Sequence, residues 1–157
     1  MRIHVMFIGK TTGKLFQEAI SDYQQRLTHY VPFAIEEVPD LKNTKSLTEE
    51  QQKEKEADMV FDRLQSGDVL VLLDEKGKEF TSREFSSFLE NKMHTVNKRL
   101  VLLIGGPYGF SQRIYDAAQG KISLSKMTFS HQMVRLFLVE QIYRAFTIMR
   151  GEPYHHD

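Results

Sequence analysis

Two spacings of apolar residues alternate along this chain. Ile3 to Ile8 and Phe33 to Val38 are short apolar runs, and between them Leu15, Phe16, Ala19, Ile20, Tyr23 and Leu27 recur at helical spacing from Lys14 to Tyr30. Together they predict a β-α-β opening. Pro39 to Leu47 is polar and turn-like, after which Thr48 and Gln51 form a capping box for a charged helix running to about Leu64. Val69 to Leu73 is wholly apolar, as a strand covered on both faces should be, and it stops at Asp74-Glu75-Lys76-Gly77-Lys78. A second capping box, Thr81 with Glu84, leads a helix carrying Phe85, Phe88 and Leu89. Leu100 to Ile104 is another fully apolar strand, ended by Gly105-Gly106-Pro107-Tyr108-Gly109. A short helix from about Ser111 to Ala118, a small strand at Lys121 to Leu124, and a long helix from about Ser130 to Arg150 complete the chain, with Gly151 as the last C-cap.

Five strands alternating with five helices imply one α/β domain over residues 1–157 with a mainly parallel sheet. A length of 157 residues, 41% of them hydrophobic and 27% charged, suits one core and leaves no room for a second. The absence of cysteine rules out disulfides, thiolate metal sites and a cysteine nucleophile. The six histidines show no metal-ligand spacing, so no metal is expected. The first apolar run is too short for a signal peptide, and no window approaches the roughly 18 apolar residues of a membrane span. A soluble, cytoplasmic protein without membrane contact is expected.

In such sheets ligands bind beyond the carboxyl ends of the strands, which singles out the loops Leu73 to Lys78, Gly105 to Phe110 and Leu124 to Phe129. The Gly-Gly-Pro-Tyr-Gly turn lets backbone approach a ligand closely, but it lacks the G-x-G-x-x-G spacing of a dinucleotide loop. From spacing alone it is equally a tight β-α turn. The last helix carries more apolar residues than one face can hold, among them Met133, Leu136, Phe137, Ile142, Tyr143 and Phe146. A second buried face against a symmetry mate follows, which predicts a twofold homodimer. Glu140 and Arg144, four residues apart, can pair within that helix. His155 and His156 are read either as a solvated tail or as part of a tail that folds over the strand-end loops and sets Tyr154 and His155 beside the ligand.

The stretch from Ser123 to Arg135, continued by Val139 to Ala145 and closed by Pro153-Tyr154-His155, resembles the RlmH family of SPOUT-class methyltransferases. Gly9-Lys10, Glu37-Val38-Pro39, Lys53 to Glu56 and Leu103 to Gly106 match in order, so the resemblance spans the chain. It implies an α/β fold whose C-terminal part forms a trefoil knot, an exception to the general rule against knots. It also implies S-adenosylmethionine as cofactor, held by Leu73, Gly105, Leu124, Ser125, Lys126, Met127, Thr128 and Phe129, and a homodimer built through the last helix. Family members commonly carry Pro before the histidine that opens that helix; here Ser130 stands, itself a good N-cap.

The implied reaction methylates N3 of a pseudouridine in 23S rRNA, with the assembled ribosome as the implied partner. Such an in-line displacement needs positioning above all, and the N3 proton must leave. The resemblance points to Arg135 and Arg144 for RNA or anion binding, to His155 or Glu140 for influence on the proton, and to Tyr154 beside them. Another α/β nucleotide-binding enzyme, or a ribosome-associated module without chemistry, are the competing readings. Net charge is zero, yet residues 1–97 carry 13 basic and 17 acidic side chains while residues 98–157 carry 8 and 4. Neutrality therefore argues only against indiscriminate RNA binding, because the half bearing the cofactor loops is basic.

Overall fold

A computed structural model describes residues 1–157. The chain runs β1 (Arg2–Ile8), α1 (Lys14–Leu27), β2 (Phe33–Val38), α2 (Glu49–Phe61), β3 (Val69–Glu79), α3 (Ser82–Thr95), β4 (Arg99–Ile104), α4 (Gln112–Ala117), β5 (Gly120–Ser123) and α5 (His131–Met149), with one 3-10 turn at Thr44–Ser46. All strand pairings are parallel, in the order β2-β1-β4-β3-β5. Every carboxyl strand end therefore opens on one edge of the sheet.

The apolar runs in β1, β3 and β4 are continuous because both sheet faces are covered. Ile3, Val5 and Phe7 of β1, with Leu100, Leu102 and Ile104 of β4, face the core beneath α1, α3 and α5. Met6, Val101, Leu103, Leu70 and Leu72 point the other way, onto Ala57 and Val60 of α2 and Ile114 of α4. Both capping boxes form: the Gln51 N–H donates to Thr48 Oγ1 at 3.1 Å and the Thr48 N–H to Gln51 Oε1 at 2.9 Å, with the same exchange between Thr81 and Glu84. No helix is long and apolar enough to cross a membrane.

One boundary differs from the sequence pattern. β3 does not end at Leu73. Asp74 to Gly77 leave the ladder, and the chain returns to pair again with β5, so that Ile122 lies opposite both Leu73 and Lys78. The polar residues that signal a strand end instead make an excursion inside an 11-residue strand. An idealised Cβ on Gly77 would sit 2.6 Å from the backbone N and C of Ile122, so only glycine lets the returning segment lie so close to β5.

Where β3 and β4 begin, the Arg99 guanidinium donates from Nε to Asp68 Oδ1 at 2.9 Å and from Nη2 to Asp68 Oδ2 at 2.6 Å. Burial opposes ionisation of Asp68, but the Arg99 hydrogen bonds and charge and the Gln65 N–H outweigh it and hold the carboxyl below the usual carboxylate range. A depressed folded pKa contributes stability above the unfolded value and loses it as pH falls. Urea titrations between pH 7 and 2 should show wild-type stability declining from about pH 4 downward, with a shallower acid limb in Asp68→Asn. Parallel acid limbs for the two proteins would rule out this contribution.

Candidate cofactor cleft and tail cluster

The three loops singled out by the sheet rule converge on one cleft of about 490 Å³. Its lining includes Leu73, Gly105, Leu124, Ser125, Met127, Thr128 and Phe129, seven of the eight cofactor candidates. Lys126 lies outside the lining, exposed, with its ammonium 4.0 Å from Glu79.

Each wall is shaped locally. In the loop after β4, Gly106 and Gly109 form an antiparallel bridge, the Gly109 N–H donates to the Gly106 carbonyl at 3.2 Å, and Gly109 takes φ 80°. A Cβ on Gly105 would come within 2.9 Å of the Phe110 ring, so the bare backbone is what leaves that wall open. In the loop after β5, the Ser123 hydroxyl donates to the Ser125 carbonyl and Ser125 Oγ accepts from the Met127 N–H, both at 2.9 Å. Ser130 then caps α5, its Oγ accepting from the Met133 N–H at 3.2 Å. On the β3 side, Asp74 accepts from the Lys76 N–H at 2.8 Å and from the Tyr115 hydroxyl. Burial, that hydrogen bond and the charges of Asp74 and Glu75 push the Tyr115 phenol up to about 12, so it stays a proton donor.

The catalytic candidates separate into two places. Arg135 is not free for an anion. Its guanidinium is only 3% exposed and lies over the Phe7 ring, donating from Nη2 to the Ile8 carbonyl at 2.9 Å and from Nη1 to the Gly9 carbonyl and Thr11 Oγ1, each at 3.0 Å. Glu37 is 3.9 Å away and gives a counter-charge. The expectation of RNA or anion binding is thus corrected for Arg135. It ties the start of α5 to the end of β1, and burial lowers its pKa.

Glu140, Arg144, Tyr154 and His155 do come together. Arg144 Nη2 donates to Glu140 Oε1 at 2.6 Å, the intrahelical pair expected from spacing, and the Tyr154 hydroxyl donates to the same oxygen at 3.0 Å. Arg144 Nη1 lies 3.1 Å from His155 Nδ1, and His155 Nε2 is 2.9 Å from Asp157, which also binds Arg83 on α3. Burial and the hydrogen bonds with Tyr23 and Glu140 raise the Tyr154 pKa, so this phenol too remains protonated. The tail is therefore neither solvated at His155 nor folded over the strand-end loops: it docks on α5, α1 and α3. None of the four residues lines the cleft.

Sequence reading missed Glu56. Only 5% exposed, it lies beneath Gly106, where a Cβ would stand 2.7 Å from its Oε2, and burial raises its pKa. Its signal is faint: an acid four residues before the buried Val60 on the helix face that carries Ala57.

A family model described as a predicted SPOUT methyltransferase matches residues 1–155. The chain belongs to the RlmH family of SPOUT methyltransferases. It is 64% identical over 157 residues to the ribosomal RNA large subunit methyltransferase H of Parabacteroides distasonis, with 100% of both chains covered. It is 59% identical over 157 residues to the protein of the same name in Phocaeicola vulgatus, again over 100% of both chains, and 57% identical over 156 residues to that of Flavobacterium johnsoniae, over 99% of each.

Proposed function

We propose that this protein methylates N3 of a pseudouridine in large-subunit ribosomal RNA, using S-adenosylmethionine, on the assembled ribosome and as a homodimer. The convergence of the excursion within β3 and the loops after β4 and β5 on one cleft carries the reading, joined to relatives named as ribosomal RNA large subunit methyltransferases. The residues fit the cofactor. Gly105 supplies a wall without a side chain, Leu73, Leu124, Met127 and Phe129 supply apolar surface, and Ser125 and Thr128 supply hydroxyls. Once bound, S-adenosylmethionine supplies an activated methyl group on its sulfonium.

Within this proposal the chain contributes positioning and control of one proton. Loss of the N3 proton is favoured by a base or by a field that stabilises the developing anion. Arg144 and His155 supply the cationic and titratable members of the tail cluster, and Glu140 with Tyr154 holds them in place. Since these four residues lie outside their own protomer's cleft, their action on substrate requires a second protomer. The apolar excess on α5, with Phe137 39% exposed, supports such a dimer, as does the neighbouring apolar hollow lined by Phe80, Phe129 and Phe137. The family also implies the C-terminal knot.

Ribosomes lacking the modification, supplied with methyl-labelled S-adenosylmethionine, should acquire label at N3 of one pseudouridine of the large-subunit RNA. Folded, cofactor-binding protein that transfers no label would refute the activity. In the same assay His155→Ala should lower transfer by about 100-fold and reshape the pH profile. Wild-type transfer by His155→Ala at every pH would remove this histidine from the mechanism.

A further inference from the structure

A trough leaves the cofactor cleft and follows the outer edge of β5. Cleft and trough share Asp74, Lys76 and Tyr115. Past Gln119 and Lys121 the trough widens into a groove of about 590 Å³ between β5, the returning end of β3, and α3. β5 is an edge strand, so this side of the sheet has no further element over it.

The charge along this path is uneven in a particular way. Four lysines line it, Lys76, Lys121, Lys78 and Lys92, and none has a carboxylate within the 4.0 Å of an ion pair. Three of their ammonium groups rest instead near aromatic rings, Lys78 at 5.1 Å from the Phe80 centroid, Lys92 at 5.3 Å from Phe88 and Lys121 at 5.5 Å from Tyr115. The three carboxylates on the path are already engaged. Asp74 accepts from Tyr115 and from the Lys76 N–H, Glu84 closes the capping box of α3, and Glu79 lies 4.0 Å from Lys126. The trough thus carries four lysines against three carboxylates, and Asp74 and Glu84 are turned to hydrogen-bond donors rather than to those lysines, along a groove that runs into the cleft.

We propose that this trough is the track for the sugar-phosphate backbone of the RNA strand whose target nucleotide enters the cleft. The inference rests on the ribosomal RNA reading above. A polyanion whose reacting base lies in the cleft must leave it along some surface, and this path is continuous with the cleft and offers four lysines that stand outside any ion pair. Its contacts are to phosphate, so they set affinity and register, while the cleft sets which base is methylated.

The test compares wild type with the triple variant Lys78→Ala, Lys92→Ala, Lys121→Ala on ribosomes lacking the modification, with methyl-labelled S-adenosylmethionine. The KM for ribosomes should rise at least about tenfold with little change in kcat, and calorimetric affinity for S-adenosylmethionine should stay at the wild-type level. The slope of log affinity against log salt should fall by about 2, from roughly 0.7 per phosphate contact on a single strand. A triple arginine variant at the same positions should restore both. Wild-type transfer to rRNA matched by the alanine variant, with the same KM and salt slope, would overturn the trough alone. Failure of wild type to label any rRNA would overturn the reading beneath it and this inference together.

Discussion

Gly77→Ala should destabilise this protein by about 3 kcal/mol, at the upper end of what overpacking costs, and weaken its grip on S-adenosylmethionine as well. The new Cβ would stand 2.6 Å from the N and C of Ile122 and 2.7 Å from the carbonyl carbon of Lys121. Those are backbone atoms held in the β3–β5 ladder, so no rotamer change can relieve the overlap. Relief requires the returning part of β3 to lift away from β5. That movement displaces the start of the Leu124 to Phe129 wall, which is why cofactor affinity should fall together with stability. Urea unfolding gives the first number and calorimetry the second. Stability within about 0.5 kcal/mol of wild type, the range of ordinary surface changes, would show that the segments are not locked together.

Arg135→Ala should cost a similar amount, about 3 kcal/mol. The substitution removes donors to the Ile8 and Gly9 carbonyls and to Thr11 Oγ1, leaves an emptied space beside Phe7, and strips Glu37 of its nearest cation. Gln132 makes a parallel link, its Oε1 accepting from the Thr12 N–H at 2.8 Å, so the first turns of α5 are fastened to the end of β1 at two points. Arg135→Lys should recover only part of the loss, since a lysine lacks the planar fork that reaches both carbonyls and the hydroxyl. Denaturation midpoints for the two variants decide the matter. An Arg135→Ala protein with wild-type stability and impaired RNA affinity would return this residue to the anion-binding role its motif suggests.

Much of the architecture was legible in residue order. Continuous apolar runs at Val69 to Leu73 and Leu100 to Ile104 mark strands covered on both faces, and Thr48 with Gln51 and Thr81 with Glu84 mark helix starts to the residue. Ser130 as N-cap and the Glu140–Arg144 pair follow from spacing within one helix. These features depend on neighbours a few positions apart. The convergence of three segments on one cleft was also reachable, because parallel strands put the ends of their apolar runs on one edge, even though the first of these segments proves to be an excursion within β3.

What the chain order could not express is contact between distant segments. Asp74 to Gly77 has the composition of a turn, and only its pairing with β5, more than 40 residues on, makes it an excursion within one strand. Arg135 has the same local setting whether its guanidinium meets a phosphate or the carbonyls of Ile8 and Gly9, more than 120 residues before it; tertiary packing decided for the carbonyls. The tail was likewise undecided until Tyr154 met Tyr23 and Glu140, and Asp157 met Arg83. Periodicity, capping and composition are local and so determine the elements, the parallel sheet and the edge on which its loops converge. Burial and hydrogen-bond satisfaction are properties of the assembled chain, and they decide which charged residues brace the fold and which remain free to meet a substrate.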